Sequence, residues 1–442
     1  MSSLSAQEVK DIQAAVYELI QKGQMDDAYG LILTLLEYNP NDGIALNFMG
    51  VFHLEHQEYQ LAYQYFRRAL QENPNSAPIW TNYGLATHEL GNNKEAISAY
   101  LKSAECNNSY AKAYTNAAAV MIEESKWDEA EKLCNLALES DPNDKNAQKN
   151  LAHVYLAKHN WKDGWKHWEL AIGSKYRKEW IYGDEPRWDG AKGKNLVIYG
   201  EQGLGDEVCY ASCIPDAIND SKHVVIDCDP RLETLFKRSF PKAKVYGTRR
   251  DKHPAWLKDE KIDARVAMAS LPSFYRNSDD EFPGTPYLKA NPELVKMFKT
   301  YFETFKKPVY GVCTHGGSKL TGEHYRTLQP ESFSPLFSRD AVFICLDYKN
   351  KDKNNKLVYM PWATQAHDYD ITAALIASLD CVIGIHTTVM HVANGLGIPT
   401  HILIPQNHQW RYELPYVWCK TATLYHQGKD ESWRDVIKGV KL

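Results

Sequence analysis

The chain has 442 residues, of which 44% are hydrophobic and 24% charged, and its net charge is −5 at pH 7. This length suffices for two or three domains of about 150 residues, and the composition is that of an ordinary soluble globular protein. The net charge provides no overall attraction to nucleic acids or anionic membranes, and no apolar run approaches the ~20 residues that span a bilayer.

The cysteine pattern and the first residues both bear on location. The chain starts without the basic and apolar regions of a signal peptide. Its nine cysteines form no Cys-x-x-Cys pair, and Cys313, Cys345 and Cys381 lie in apolar runs, as expected of reduced core thiols. We therefore expect a cytoplasmic protein without a membrane span.

Small residues recur every 34 residues in the N-terminal part of the chain, at Ala28, Ala62, Ala96 and Ala130. Prolines and large residues recur at the same interval. Such a period predicts helix–turn–helix repeats, in which the small residue lets two helices approach and proline follows the second helix. We count about five units, with atypical units at both ends.

This layout resembles the tetratricopeptide-repeat family, which implies an all-α solenoid over residues 1–175. Its concave groove would bind an acceptor, a peptide or a partner protein. Alternatively, the repeats form a rigid stalk or a dimerisation arm that makes a homo-oligomer. Trp80, Tyr83 and Asn116 either face a ligand in the groove or belong to the repeat core.

Apolar strands alternate with helical stretches after residue 194. The first set of strands is predicted at 196–199, 223–227, 244–246 and 264–268. The second set is predicted at 309–313, 342–346, 381–385 and 400–404. The intervening helices are predicted at 208–218, 230–240, 371–379 and 389–396. This alternation indicates parallel sheets with right-handed crossovers, and hence two doubly wound α/β domains that face a cleft.

A glycine-rich turn separates the first strand from the first of these helices. The turn ends at Asp206 and contains Gly203, Leu204 and Gly205. Backbone N–H groups and the helix dipole favour a polar or charged ligand there. The carboxylate of Asp206 is either a helix cap or a positioned general base, and Glu201 is the second candidate for the base.

The second set contains a similar strand–turn–helix segment. Strand 381–385 is followed by His386, Thr387 and Thr388. Threonine hydroxyls and free N–H groups at a helix start suit a diphosphate. The alternative is that Thr387 or Thr388 only caps the helix.

Segments 200–206, 370–376 and 379–399, with Trp410 and Arg411, resemble the heptosyltransferase-like glycosyltransferases. The resemblance is strongest to bacterial and phage proteins in which tetratricopeptide repeats precede such a domain, a layout similar to that of the O-GlcNAc transferase type. It implies a GT-B fold of two Rossmann-like domains, with the acceptor side at 176–290 and the nucleotide-sugar side at 291–442.

The same resemblance implies roles for individual residues. Asp206 would be the acceptor base, and His386 stands where the family commonly has aspartate, which would add a pH dependence. The donor-binding candidates are Thr387, Thr388, His391, His386, Gly316, Gly317, Lys319 and Arg326.

Three further features of the α/β section lead to separate expectations. Asp227 and Asp229 form an Asp-x-Asp pair like the metal motif of other glycosyltransferases, but Asp229 precedes Pro230 as a helix N-cap would. Trp410 and Arg411 could stack on a base or a sugar ring. A C-terminal run at 433–440 is expected, as in GT-B folds, to cross back to the first Rossmann-like domain.

The resemblance thus implies an inverting hexosyl- or heptosyltransferase that moves a sugar from a nucleotide sugar, its co-substrate, to a protein, glycan or other acceptor. An enzyme of this kind would need no cofactor and no metal. One alternative is a binding scaffold whose transferase domain is degenerate, as His386 suggests. Another is a glycosyltransferase of phage DNA bases, against which the net charge of −5 argues.

Overall fold

The computed structural model describes residues 4–107, 111–174, 177–249, 251, 253–316, 326–348, 354–365, 367–429 and 431–442. The chain divides into two compact units, Met1–Val154 and Tyr155–Leu442. Among the described residues, no helix is both long enough and apolar enough to cross a bilayer.

The described residues of the N-terminal section form ten helices, which follow one another as five helix–turn–helix pairs. They are α1 (Ala6–Gln21) and α2 (Met25–Tyr38), α3 (Gly43–Glu55) and α4 (Tyr59–Glu72), α5 (Ala77–Glu89) and α6 (Asn93–Cys106), α7 (Ala111–Glu123) and α8 (Trp127–Ser140), and α9 (Lys145–Ala157) and α10 (Trp161–Leu170). The predicted helical repeat section is confirmed. The division between the compact units falls inside α9, so that α10 belongs to the second unit.

The 34-residue period is visible in the packing inside each pair. Ala62 and Phe66 of α4 are fully buried. A Cβ atom on Gly50 of α3 would lie 2.5 Å from Cε1 of Phe66, and one on Gly84 would lie 2.6 Å from Cε1 of Tyr100. Each glycine therefore makes room for an aromatic ring of the following helix, and burial of such a ring stabilises the repeat by about 1.5–3 kcal/mol.

The first sheet of the second unit has four parallel strands in the order β3-β2-β1-β4. The strands are β1 (Asn195–Tyr199), β2 (His223–Asp227), β3 (Lys244–Tyr246) and β4 (Ala264–Ala267). All four predicted strands are confirmed. The associated helices are α11 (Leu204–Tyr210), α12 (Ile214–Asp220), α13 (Glu233–Ser239) and α14 (Pro272–Tyr275).

The single helix predicted at 208–218 is wrong. A 3₁₀ turn, Ala211–Cys213, separates α11 from α12. Pro215 lies in the first turn of α12, where its missing N–H is tolerated but where it prevents continuation of the preceding helix.

The second sheet has six parallel strands in the order β10-β9-β8-β5-β6-β7. They are β5 (Val309–Cys313), β6 (Val342–Cys345), β7 (Leu357–Tyr359), β8 (Cys381–Ile385), β9 (Thr400–Ile404) and β10 (Ala422–His426). The helices of this half are α15 (Pro292–Glu303), α16 (Ser334–Phe337), α17 (Pro361–Thr364), α18 (Tyr369–Ile376), α19 (Thr388–Leu396) and α20 (Trp433–Lys438).

Four strands of the second sheet were predicted, and the two at its edges, β7 and β10, were not. None of the residues of either edge strand is fully buried. An edge strand that is only half-buried lacks the continuous apolar run by which the inner strands are recognised.

The two sheets share one strand order. Numbered within its own sheet, the first runs 3-2-1-4 and the second 3-2-1-4-5-6. This is the doubly wound order in which ligands bind beyond the carboxyl ends of the strands, where the order reverses. The reversal lies between β1 and β4 in the first sheet and between β5 and β8 in the second.

The C-terminal helix does not cross back to the first sheet, contrary to the expectation from GT-B folds. Val436 and Ile437 of α20 belong to the core of the second sheet, together with Phe333, Leu336 and Phe343. The run forms an amphipathic helix as predicted, but its apolar face packs on the second sheet and not on the first.

Candidate functional site

The loops at the two reversal points meet. Gly205 of α11 packs so closely on α19 that an added Cβ atom would lie 3.1 Å from Oγ1 of Thr388 and 3.4 Å from Cδ2 of His391. Both helices begin at the carboxyl edge of their sheets. The structure therefore brings together the glycine-rich turn and the threonine turn that the sequence singled out separately.

Asp206 lies at this meeting point and is partly exposed, with 27% of its side chain accessible. It is the third residue of α11, and its Oδ2 accepts the N–H of Gly203, the N-cap residue, at 3.2 Å. Its Oδ1 accepts from Nη2 of Arg411 at 2.7 Å. A carboxylate in the first turn also complements the helix dipole, so Asp206 contributes to the start of α11 whatever else it does.

Glu201, the second candidate for the base, points elsewhere. It is buried and forms an ion pair with the fully buried guanidinium of Arg177, at 3.0 Å. Burial raises the pKa of Glu201, although the charge of Arg177 opposes the shift. The carboxylate neutralises a buried cation and is withdrawn from ligands, so Asp206 remains the candidate base.

Thr387 occupies the N-cap position of α19 without capping it. Its backbone is extended, and no side-chain oxygen accepts an N–H of the first turn within the described residues. The hydroxyl of Thr387 instead lies 3.4 Å from Sγ of Cys313. Met390 and His391 donate their N–H groups to the carbonyl oxygen of Thr387, at 3.1 and 3.4 Å. Since the first N–H groups of a helix have no intrahelical acceptors, those of Thr388 and Val389 are the candidate donors for a ligand.

The loop after β5 packs against the same turn. A Cβ atom on Gly316 would lie 2.9 Å from Cγ2 of Thr387 and 3.1 Å from the carbonyl oxygen of Arg326. Arg326 in turn donates from Nη2 to the carbonyl of His386. Gly316, Arg326, His386 and Thr387 are thus neighbours. Gly317 and Lys319, the other two candidates of this loop, lie outside the described residues.

The two histidines of the site are neutral. Burial, reinforced by the charge of Arg326, lowers the pKa of His386 far below its ordinary value. Burial and the charge of Arg411 lower the pKa of His391 to about 3, and its Nε2 lies 3.1 Å from the hydroxyl of Tyr412. The pH dependence expected from His386 near neutrality is therefore not supported, because the imidazole stays uncharged there.

The expectation that Trp410 stacks on a ligand is also wrong. Trp410 is 4% exposed, and its ring lies 5.8 Å from that of Trp165 and 6.1 Å from that of Trp418. It belongs to an aromatic core, whereas the adjacent Arg411 reaches the site. No pattern in the sequence indicated that Arg411 would pair with Asp206.

Asp347, after β6, was missed as well. Its buried carboxylate accepts the N–H groups of Thr314 and His315, at 3.0 and 3.1 Å, and the hydroxyl of Thr314 at 2.6 Å. Although burial alone would raise it, the hydrogen bonds from His315 and Thr314 hold the pKa of Asp347 below its ordinary value. An acid at this position contacts the ribose in dinucleotide-binding folds; here it fixes the turn after β5.

The Asp-x-Asp pair has structural partners. Asp229 is the N-cap of the 3₁₀ helix Pro230–Leu232 and accepts the N–H of Arg231 at 3.1 Å, as predicted. Asp227 accepts from the hydroxyls of Tyr182 and Thr248, at 2.6 and 2.8 Å.

The chain resembles known proteins over its repeats and beyond them. The profile of the tetratricopeptide repeat matches residues 14–77. Protein FlbA of Caulobacter vibrioides is 26% identical over 378 residues, which cover 77% of this chain and 62% of that protein. The matched part of the chain thus spans less than two thirds of this curated relative, and since it exceeds the repeat section it includes part of the α/β unit.

Solved structures match a little over a third of the chain at low similarity. PilF of Pseudomonas aeruginosa is 19% identical, with a TM-score of 0.35, and the match covers 37% of this chain and 74% of that one. A thermophilic tetratricopeptide-repeat protein of Thermus thermophilus is also 19% identical, with a TM-score of 0.34, covering 37% and 89% of the two chains. The tetratricopeptide-repeat match at residues 14–77 lies within the section of paired helices, which precedes an α/β unit with two parallel sheets.

Proposed function

We propose that the chain is a nucleotide-sugar-dependent glycosyltransferase of GT-B type, in which the repeats bind the acceptor or a partner protein. The observation that carries this proposal is the contact between the two reversal points, where Gly205 packs on Thr388. It places a partly exposed carboxylate, Asp206, beside the uncapped start of α19.

The second half offers the features that a diphosphate needs. The start of α19 provides N–H donors and the positive end of a helix dipole, and the absence of a side chain at Gly316 lets its loop pack directly on Thr387. Of the candidate residues that the structure describes, Arg326 and Arg411 bring fixed positive charge, because His386 and His391 are uncharged near pH 7. These groups would stabilise the charge that develops on a leaving nucleoside diphosphate.

The first half offers the group that an acceptor needs. In the proposed reaction, an acceptor oxygen attacks the anomeric carbon, the bond from that carbon to the diphosphate breaks, and the acceptor proton passes to Asp206. Attack opposite the leaving group inverts the anomeric centre, in line with the resemblance. The leaving diphosphate carries away the negative charge, so the step needs no redox partner.

Nucleotide binding and sugar transfer test the proposal in sequence. We expect UDP, ADP or GDP to raise the melting temperature of the full chain at millimolar concentration, and one nucleotide sugar to be hydrolysed or transferred. Asp206→Asn should lower turnover by about a hundredfold or more. Asp340→Asn, at an exposed acid next to β6, is the matched control. Absence of any melting shift with all three nucleotides would refute the proposal.

A binding scaffold is the second candidate, favoured by one observation. Both carboxylate oxygens of Asp206 already accept hydrogen bonds, from Gly203 and Arg411, as in a purely structural residue. A scaffold would bind a partner through its repeats without consuming any nucleotide sugar. Turnover by the purified wild-type chain that is lost in Asp206→Asn would exclude it.

A further inference from the structure

Arg411 has more hydrogen-bond donors than partners. Its side chain is 6% exposed, and Nη2 donates to Oδ1 of Asp206 at 2.7 Å. The buried Nε–H has no acceptor within reach among the residues that the structure describes. A guanidinium carries five N–H groups in a planar fork, and a buried donor without an acceptor is costly. An incoming oxyanion would satisfy it.

Asp206 is the charged partner of Arg411. The acidic groups near this guanidinium are Tyr210, Asp206, Cys209 and Tyr412. Burial raises the pKa values of Tyr210, Cys209 and Tyr412, so these three are neutral near pH 7. The guanidinium also lies 5.4 Å from the centre of the Tyr210 ring, which favours a cation but adds no negative charge.

Each partner of this ion pair has a neighbour in the chain that contacts α19. Gly205, which precedes Asp206, would touch Thr388 with a Cβ atom at 3.1 Å. Tyr412, which follows Arg411, has its hydroxyl 3.1 Å from Nε2 of His391. The charge of Arg411 also reaches the site, since it lowers the pKa of His391 together with burial. Both partners of the ion pair are therefore held near α19 by the residues next to them, in the neighbourhood of an anion at the start of that helix.

We propose that Arg411 is shared between Asp206 and the donor diphosphate: it pairs with Asp206 in the free protein and turns to the diphosphate when the donor binds. The inference rests on the proposed function and adds an order to it. Oδ1 of Asp206 is released for the acceptor hydroxyl only after the donor is bound. The donor then binds first and the acceptor second.

Inorganic pyrophosphate tests this sharing without a choice of nucleotide. Its affinity is measured by titration calorimetry on the full chain at fixed ionic strength, for the wild type, Arg411→Gln, Arg411→Lys and Asp206→Asn. Arg434→Gln, at an exposed arginine of α20, is the matched control. Circular dichroism and melting temperature report whether each variant is folded.

The two partners should change affinity in opposite directions. We expect Arg411→Gln to bind pyrophosphate about tenfold or more weakly, with Arg411→Lys between it and the wild type. Asp206→Asn removes the competing carboxylate and should bind about threefold or more tightly. A merely structural ion pair would give changes of the same sign in both, since either substitution breaks it.

The outcomes separate the inference from the proposed function. Wild-type affinity in Arg411→Gln or Arg411→Lys, or weaker binding in Asp206→Asn, overturns the sharing of Arg411 while leaving diphosphate binding intact. If Arg411→Gln does not fold, the test uses the other two variants: Arg411→Lys should bind pyrophosphate more weakly than the wild type, and Asp206→Asn more tightly. Binding of neither pyrophosphate nor any nucleoside diphosphate by the wild type overturns both.

Discussion

The substitution Gly50→Ala isolates the close contact on which the repeat packing depends. The added Cβ atom would lie 2.5, 2.6 and 2.9 Å from three ring carbons of Phe66, which is fully buried. Such overpacking costs about 1–3 kcal/mol, whereas alanine gains about 1 kcal/mol over glycine in a helix. The two terms together leave an expected net loss of up to about 2 kcal/mol.

Gly30→Ala is the matched control, because Gly30 lies in α2 and its Cβ atom would meet nothing within 4 Å. This variant should gain up to about 1 kcal/mol from helix propensity alone. Gly50→Ala should therefore lower the stability of the repeats and Gly30→Ala should raise it. Hydrogen exchange of α3 and α4 measures both changes, as does the melting temperature, which shifts by roughly 2–4 °C per kcal/mol.

A double variant attributes the loss to the ring. Phe66→Leu shortens the side chain that Gly50→Ala would meet, so the two substitutions together should cost less than the sum of their separate costs. If Gly50→Ala stabilised the repeats as Gly30→Ala does, or if the two costs were simply additive, the close approach would not limit position 50 and the packing explanation would be refuted.

Three further predictions concern the α/β unit. Arg177→Met leaves Glu201 buried without its cation and should lower the free energy of unfolding by about 3–5 kcal/mol, as measured by denaturant titration. The double variant with Glu201→Gln should regain part of this loss. Burial lowers the pKa of His391 from 6.5 in the unfolded chain to about 3 in the folded protein. Between pH 6.5 and about pH 3 the unfolded chain therefore binds more protons than the folded protein. The free energy of unfolding should fall as the pH drops through this range, by at most about 1.4 kcal/mol per pH unit. His391→Asn should flatten this dependence of the melting temperature, and an unchanged slope would contradict it. Gly205→Val places a branched side chain against Thr388 and should lower nucleotide-sugar turnover about tenfold or more without altering hydrogen exchange in α3; full turnover would show that the contact is dispensable.

The sequence was most informative where one local pattern determined the structure. The inner strands, such as β1 and β8, are continuous apolar runs, and their positions were predicted within one residue. The edge strand β10 failed because its residues are only partly buried, so its pattern does not differ from that of a loop. The break before α12 could have been read from Pro215.

The side-chain geometry of the site depended on contacts that no local pattern encodes. Asp206 and Arg411 are 205 residues apart. They meet where α11 packs on α19 and where Tyr412, next to Arg411, contacts His391 of α19. The residues themselves were selected from the motifs, but their partners were not. The neutral state of His386 follows from burial and the nearby Arg326, and neither is apparent from a histidine after a strand.

The last repeat helix is part of the α/β unit rather than a spacer before it. In α10, Nε1 of Trp165 donates to the carbonyl of Arg276 at 2.6 Å, and Nε1 of Trp168 to that of Ala269 at 2.9 Å. The ring of Trp165 also packs on Trp410, beside Arg411.

A fragment of residues 176–442 would lose these contacts and expose the aromatic core, because each tryptophan buries about 150–250 Å². We expect this fragment to aggregate or to melt well below a fragment of residues 145–442, as measured by size-exclusion chromatography and thermal unfolding. Equal behaviour of the two fragments would mean that α10 contributes nothing to the fold of the α/β unit, and that the surroundings of Arg411 form without it.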